Sequence, residues 1–167
     1  AEALRLATTH WRFHSFGGLY LGLGSGGRCV PLGAQYLQVP IEYDLSILSA
    51  ATKVDVAMPR RIANEALHQF STRFPSVTKP KIKVLILGVA YRPGFRDAGL
   101  SPGVRTAQAF LDRARTSDTL GRHIDVRVHD PVFSFDELTA LIPIGATVGS
   151  LDDLNADIVV LATPHVE

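Results

Sequence analysis

The strongest constraint on the fold is a change of hydrophobic pattern at Lys81. Before it, apolar residues recur at helical spacing; after it, short apolar runs alternate with helical stretches. Ile82–Leu87 is a run of buried-strand type closed by Gly88. Ser101-Pro102 reads as a helix cap followed by a first-turn proline, and Val104, Ala107, Leu111 and Ala114 line one face of the helix it opens. Ile124, Val126 and Val128 alternate as a strand ending at Asp130-Pro131, and Ser134-Phe-Asp-Glu137 has the capping-box pattern. Ile158–Ala162 is a second buried-type strand. Strands alternating with helices imply a parallel, Rossmann-like sheet.

Upstream, residues 34–74 read as helical, because Ile62, Ala66, Phe70 and Phe74 fall at four-residue steps along one face. Pro59 is placed in the first turn of that helix, where its missing N–H is not needed. Ser71–Pro80, with two prolines, is the linker candidate. The expected organisation is therefore α/β: a cysteine loop and helical central segment over residues 1–78, then a Rossmann-like parallel-sheet domain over 79–167. The chain carries no initial methionine, and it is expected to begin inside a longer gene product or after processing.

Several function classes have no support here. Seventeen basic and 16 acidic residues leave a formal charge of +1, which gives no electrostatic reason to expect nucleic acid or an anionic membrane as partner. One cysteine excludes an internal disulfide framework and a multi-cysteine metal site. The longest apolar run, Val84–Tyr91, is too short to span a bilayer, and Ala1–Arg5 lacks the features of a secretion signal. A cytoplasmic location is the expectation.

The chemistry gathers in Tyr20-Leu-Gly-Leu-Gly-Ser-Gly-Gly-Arg-Cys29-Val-Pro31. Gly22, Gly24 and Gly27 spell G-x-G-x-x-G, but a dinucleotide fingerprint must open a helix, and Pro31 and Gly33 read as opposing one. The other reading is a loop that presents Cys29. A thiolate is the reactive form, favoured beside a positive charge such as that of Arg28, whereas a lone cysteine is also often just a small buried residue.

An ordered set of motifs bears on that choice. Gly24-x-Gly26-Gly27-x-Cys29-x-Pro31 is followed by Ala51-x-x-Val54-Asp55-x-x-Met58-Pro59, then Lys83–Gly88 running into Tyr91-Arg-Pro93. Asp97, Ser101-Pro102, His129-Asp130-Pro131 and Asp157–Thr163-x-His165 complete it. Together these resemble the UDP-glucose/GDP-mannose dehydrogenase family, central and C-terminal parts, and most of all its bacterial branch acting on UDP-N-acetylhexosamines.

The resemblance implies an NAD-dependent oxidation of a UDP-sugar C6 alcohol to a carboxylate, with Cys29 as the nucleophile that holds the intermediate aldehyde. Tyr20, Gly24, Gly26 and Gly27 would lie along the substrate. Tyr91, Arg92 and Asp97 would meet the nucleotide and its phosphates, an arginine fork suiting phosphate. For Arg92 a solvated surface charge, and for Asp97, Ser101 and Pro102 purely structural turn and cap roles, remain open. The implied partners are the UDP-sugar and either a second copy of the chain or a separate NAD-binding domain. The chain departs from the family pattern at Arg28 (histidine), Gly33 (aspartate), Asp55 (asparagine), Gly99 (arginine) and Leu100 (acid). The alternative reading is a degenerate, non-catalytic module that binds a UDP-sugar or supports oligomerisation.

Overall fold

The computed structural model describes residues 9, 22–37, 44–75, 81–116, 123–153 and 155–165. Among the described residues two helices come first, α1 (Cys29–Tyr36) and α2 (Ser46–Arg73). They are followed by β1 (Lys81–Leu87), α3 (Pro102–Thr116), β2 (His123–His129), α4 (Phe135–Leu141), β3 (Thr147–Val148) and β4 (Ile158–Leu161). The strands form one parallel sheet in the order β3-β2-β1-β4. β1 is central. It pairs with β2 from Lys81↔His123 to Leu87↔His129, and with β4 from Val84↔Ile158 to Leu87↔Leu161. The next strand after β1 therefore lies to one side of it and β4 to the other, which makes the carboxyl ends of β1 and β4 a topological switch point.

Burial explains these elements. In β1, Val84, Leu85 and Ile86 are all buried, as a central parallel strand covered on both faces requires. Along α3, Ala107, Phe110 and Leu111 are buried, with Val104 and Ala114 packed beside them. Ser101 Oγ accepts the N–H groups of Gly103 and Val104 at 3.1 and 3.4 Å, so it caps the helix. The Ser134/Glu137 capping box of α4 is present in full. One hydrophobic cluster joins Leu23, Ala63, Leu67 and Phe70 to the sheet and to α3.

The structure corrects several expectations. Pro59 stands in the middle of α2, not in a first turn, and is buried there. The buried stripe of α2 is Pro59, Ala63, Leu67 and Phe70, with Ile62 and Ala66 at its flank and Phe74 exposed. Steps of four outrun the 3.6-residue turn, so the larger apolar residues drift off the contact line. α1 begins at Cys29 despite Pro31 and Gly33, because Pro31 is its third residue, where no intrahelical acceptor is missed. Helix α2 runs three residues into the expected linker, to Arg73. β4 is less buried than its composition suggests, Val159 and Leu161 being exposed, and the two-residue strand β3 left no readable pattern. Among the described residues, no helix is long and apolar enough to cross a membrane.

Candidate functional site

The carboxyl ends of β1, β2 and β4 meet at Gly88, which adopts a φ of +96° that favours glycine. A Cβ there would sit 2.6 Å from Thr163, and one at Gly103 in the first turn of α3 would sit 2.2 Å from the Gly88 carbonyl oxygen. At the end of β2, the buried Asp130 carboxylate holds the chain leaving β1. Its Oδ2 accepts the N–H groups of Val89 and Ala90 at 2.6 and 2.9 Å, and its Oδ1 that of Val132 at 3.0 Å. His165 Nε2 lies 3.2 Å from the same Oδ2 while its Nδ1 faces the Gly94 N–H at 3.3 Å. With Nδ1 accepting, Nε2 carries the proton and donates to Asp130. The Thr163 hydroxyl donates to the Ala90 carbonyl at 2.6 Å. The ends of β2 and β4 thus tie down the loop after β1.

That loop carries three of the expected site residues. The Tyr91 N–H donates to the Asp97 carbonyl at 2.9 Å, closing the loop on itself. The Asp97 carboxylate accepts the Gly99 N–H at 2.7 Å, a turn role. Arg92 is exposed, with its guanidinium carbon 3.3 Å from the centre of the Phe95 ring. Arg96 reaches out to Glu137 at 2.5 Å, fixing the loop to the capping box of α4.

The cysteine loop is docked onto this assembly. The Gly27 N–H donates to the Gly99 carbonyl at 2.9 Å. A Cβ at Gly26 would lie 2.7 Å from Pro102 and 2.9 Å from the Tyr91 Cβ, and a Cβ at Gly27 (φ +76°) would lie 2.9 Å from the Tyr91 ring. Both glycines therefore have a packing reason: Tyr91 and Pro102 occupy the space beside them. Gly24 (φ +112°) sits against the Asp55 carbonyl, where an added Cβ would be at 3.2 Å. Pro59, four residues on, has no N–H to offer that carbonyl, so the proline inside α2 leaves room where the loop seats.

Ser25 is held from two helices. Its N–H and hydroxyl donate to Asp55 Oδ1 and Oδ2 at 2.5 and 2.9 Å. The Arg105 guanidinium of α3 donates to the Ser25 carbonyl and lies 4.0 Å from Asp55 Oδ2. Cys29 follows as the exposed first residue of α1. Next to it, a cavity of about 270 Å³ opens between α1 and α2, with Val30, Ala51, Asp55, Leu100 and Arg105 in its wall. Tyr20 lies outside the described residues. Ser25, Arg105 and the Ser25–Asp55 pairing were missed in the sequence, since nothing local marks partners 30 and 80 positions apart. The one local signal was the proline inside a helical pattern.

No family model matches the chain. It is 28% identical to the UDP-N-acetyl-D-mannosamine dehydrogenase of Pyrococcus horikoshii, over 99% of this chain and 34% of that relative. The solved structure of UDP-D-ManNAc dehydrogenase from P. horikoshii matches at a TM-score of 0.66 and 23% identity, covering 98% of this chain and 34% of that one. The chain is similar in sequence and fold to members of the UDP-glucose/GDP-mannose dehydrogenase family. A UDP-glucose dehydrogenase from Pyrobaculum islandicum shows the same fold at a TM-score of 0.57 and 24% identity, over 86% of this chain and 31% of its own. The chain spans about a third of the length of the relatives it matches.

Among the described residues, no cradle for NAD exists. The stretch Gly22–Gly27 follows no described strand, and the space beside Gly24, Gly26 and Gly27 is taken by Asp55, Tyr91 and Pro102. After β1, thirteen residues (89–101) separate Gly88 from α3, where a dinucleotide fold needs a tight turn. NAD does not fit the groups on either loop.

Proposed function

We propose that this chain is the substrate side of a nucleotide-sugar 6-dehydrogenase. Residues 79–167 take the UDP part of a UDP-sugar, with Tyr91 and Arg92 on the nucleotide and phosphates, and residues 1–78 present Cys29 to the sugar C6. The observation that carries this reading is the union of the two loops: Gly27 is hydrogen-bonded to Gly99 and packed on Tyr91, so the thiol-bearing helix starts beside the loop at the switch point.

The thiolate would attack the C6 aldehyde carbon, forming a C–S bond while the carbonyl electron pair moves to oxygen and takes up a proton. Water attacking the later thioester would release the carboxylate and return the thiol. The hydride acceptor, NAD by family likeness, is not held by the described residues. It would come from another domain or partner, and the chain's own share of the chemistry is binding and capture.

Calorimetric titration with UDP-N-acetylglucosamine, beside Arg92→Ala, tests the binding half. Saturable binding weakened about tenfold or more by the substitution is expected, as loss of a charge-assisted phosphate contact implies. No binding at millimolar ligand would sink the reading. A second reading, a non-catalytic UDP-sugar-binding module, is favoured by Gly33, since no carboxylate stands at that position to assist hydrolysis.

A further inference from the structure

We infer that Asp55 and Arg105 are positioning residues for Cys29, gripping Ser25 from two helices and so fixing where the thiol stands over the nucleotide loop. The inference rests on the proposed role of Cys29 and goes beyond it to name what aims the thiol.

The grip is built for a carboxylate at position 55. Ser25 offers two donors, its N–H and its hydroxyl, and they land on the two separate oxygens of Asp55. The third group facing that carboxylate is the Arg105 guanidinium, also a donor. An asparagine in this place would turn an NH₂ toward one of three donors, so the family's usual amide could not make the same contacts. Arg105 completes the hold by donating to the Ser25 carbonyl. Both backbone polar groups of one residue are thereby fixed, one from α2 and one from α3.

The arrangement is not explained by stability alone. Arg105 Nε is buried with no acceptor among the described residues, a cost that hydrophobic packing would avoid. The lever to the thiol is short. Ser25 is four residues from Cys29, and between them Gly27 is bonded to Gly99 in the segment leading into α3. Since Arg105 lies on α3 and Pro102 at its start abuts Gly26, the grip sets the cysteine loop, α2 and the nucleotide loop in one register.

A tethered electrophile separates aim from binding. The probe is a UDP-hexose carrying a bromoacetamido group at C6. The Cys29 sulfur attacks its CH₂ carbon, bromide leaves, the thiol proton passes to solvent, and a thioether remains. The labelling rate, followed by intact mass, is measured against probe concentration for the unaltered chain, Asp55→Asn, Arg105→Lys and Ser25→Ala. Free bromoacetamide serves as the untethered control.

Asp55→Asn and Arg105→Lys are expected to lower the maximal labelling rate about tenfold or more, because a displacement of an ångström can cost that much. The half-saturating concentration and the untethered rate should stay within about twofold of the unaltered chain, and Ser25→Ala, which loses one bond of the grip, should fall between. Maximal rates equal to that of the unaltered chain would overturn the inference and leave the proposed function standing. A half-saturating concentration that rises in step with the lost rate would overturn it too, since that marks general disruption. An unaltered chain that labels without saturation would overturn the proposed function, and the inference with it.

Discussion

Cys29 and Gly33 stand one turn apart on the same face of α1, and a side chain added at position 33 would lean back toward the thiol. Among the described residues, an added Cβ at Gly33 meets nothing within 4 Å, so none of them blocks a side chain there. Gly33→Asp should therefore place a general base beside the sulfur. The measurement is deacylation of Cys29 after acetylation by p-nitrophenyl acetate, in which water cleaves the thioester. A gain of about a hundredfold is expected, the low end of the range for a positioned base. An unchanged rate would mean that one turn of helix does not bring the carboxylate to the reacting carbon.

Gly27 tests the contact between the two loops. Alanine there meets the Tyr91 ring at 2.9 Å and must hold a φ of +76°. Gly27→Ala is expected to lower stability by about 2 kcal/mol or more in urea unfolding, from backbone strain plus overpacking. Adding Tyr91→Ala should recover the steric part and leave the backbone part. If the double variant is no more stable than expected from the two single losses, the loops are not in contact as described.

Asp130 shows the cost of an abandoned buried partner. Its Oδ2 satisfies the Val89 and Ala90 N–H groups, and the residue is 1% exposed. Asp130→Ala leaves those donors unpaired, so a loss of about 3 kcal/mol is expected, read from the urea midpoint. Asp130→Asn, which keeps one acceptor oxygen, should lose less. Equal losses would indicate that the carboxylate does not hold the loop.

The parts of the fold set by local pattern were legible in the sequence. β1, α3 and β2, with the Ser101 cap and the Ser134/Glu137 box, depend on neighbours within a few residues, and the parallel sheet follows from their alternation. What could not be read was set by distant partners. Pro59 looks like a helix start, yet α2 passes through it because its buried face rests against α3. The roles of Gly26 and Gly27 could be guessed only as freedom of the backbone, whereas the structure adds Tyr91 and Pro102 as the groups that exclude a side chain. Asp55 registered as one departure from a family pattern; its meeting with Ser25 and Arg105 needed three elements in place.

Glu137 gives a pH dependence with a definite sign. The Arg96 guanidinium, then the Ser134 backbone N–H and hydroxyl, hold its carboxyl down from the usual 4.5 to about 2. A carboxyl with a depressed folded-state pKa stabilises the fold fully above its unfolded value. That contribution is lost as pH falls from 4.5 through about 2. Arg96 belongs to the loop after β1, so acid should loosen the loop's tie to α4 only near the bottom of that window. Carbon-detected NMR titration of the Glu137 carboxyl should give a midpoint near 2, rising toward the ordinary value in Arg96→Ala. A midpoint near 4.5 in the unaltered chain would mean that the Arg96–Glu137 bond is not formed in solution, and the loop would then be held without it, by Asp130, Thr163, His165 and the docked cysteine loop.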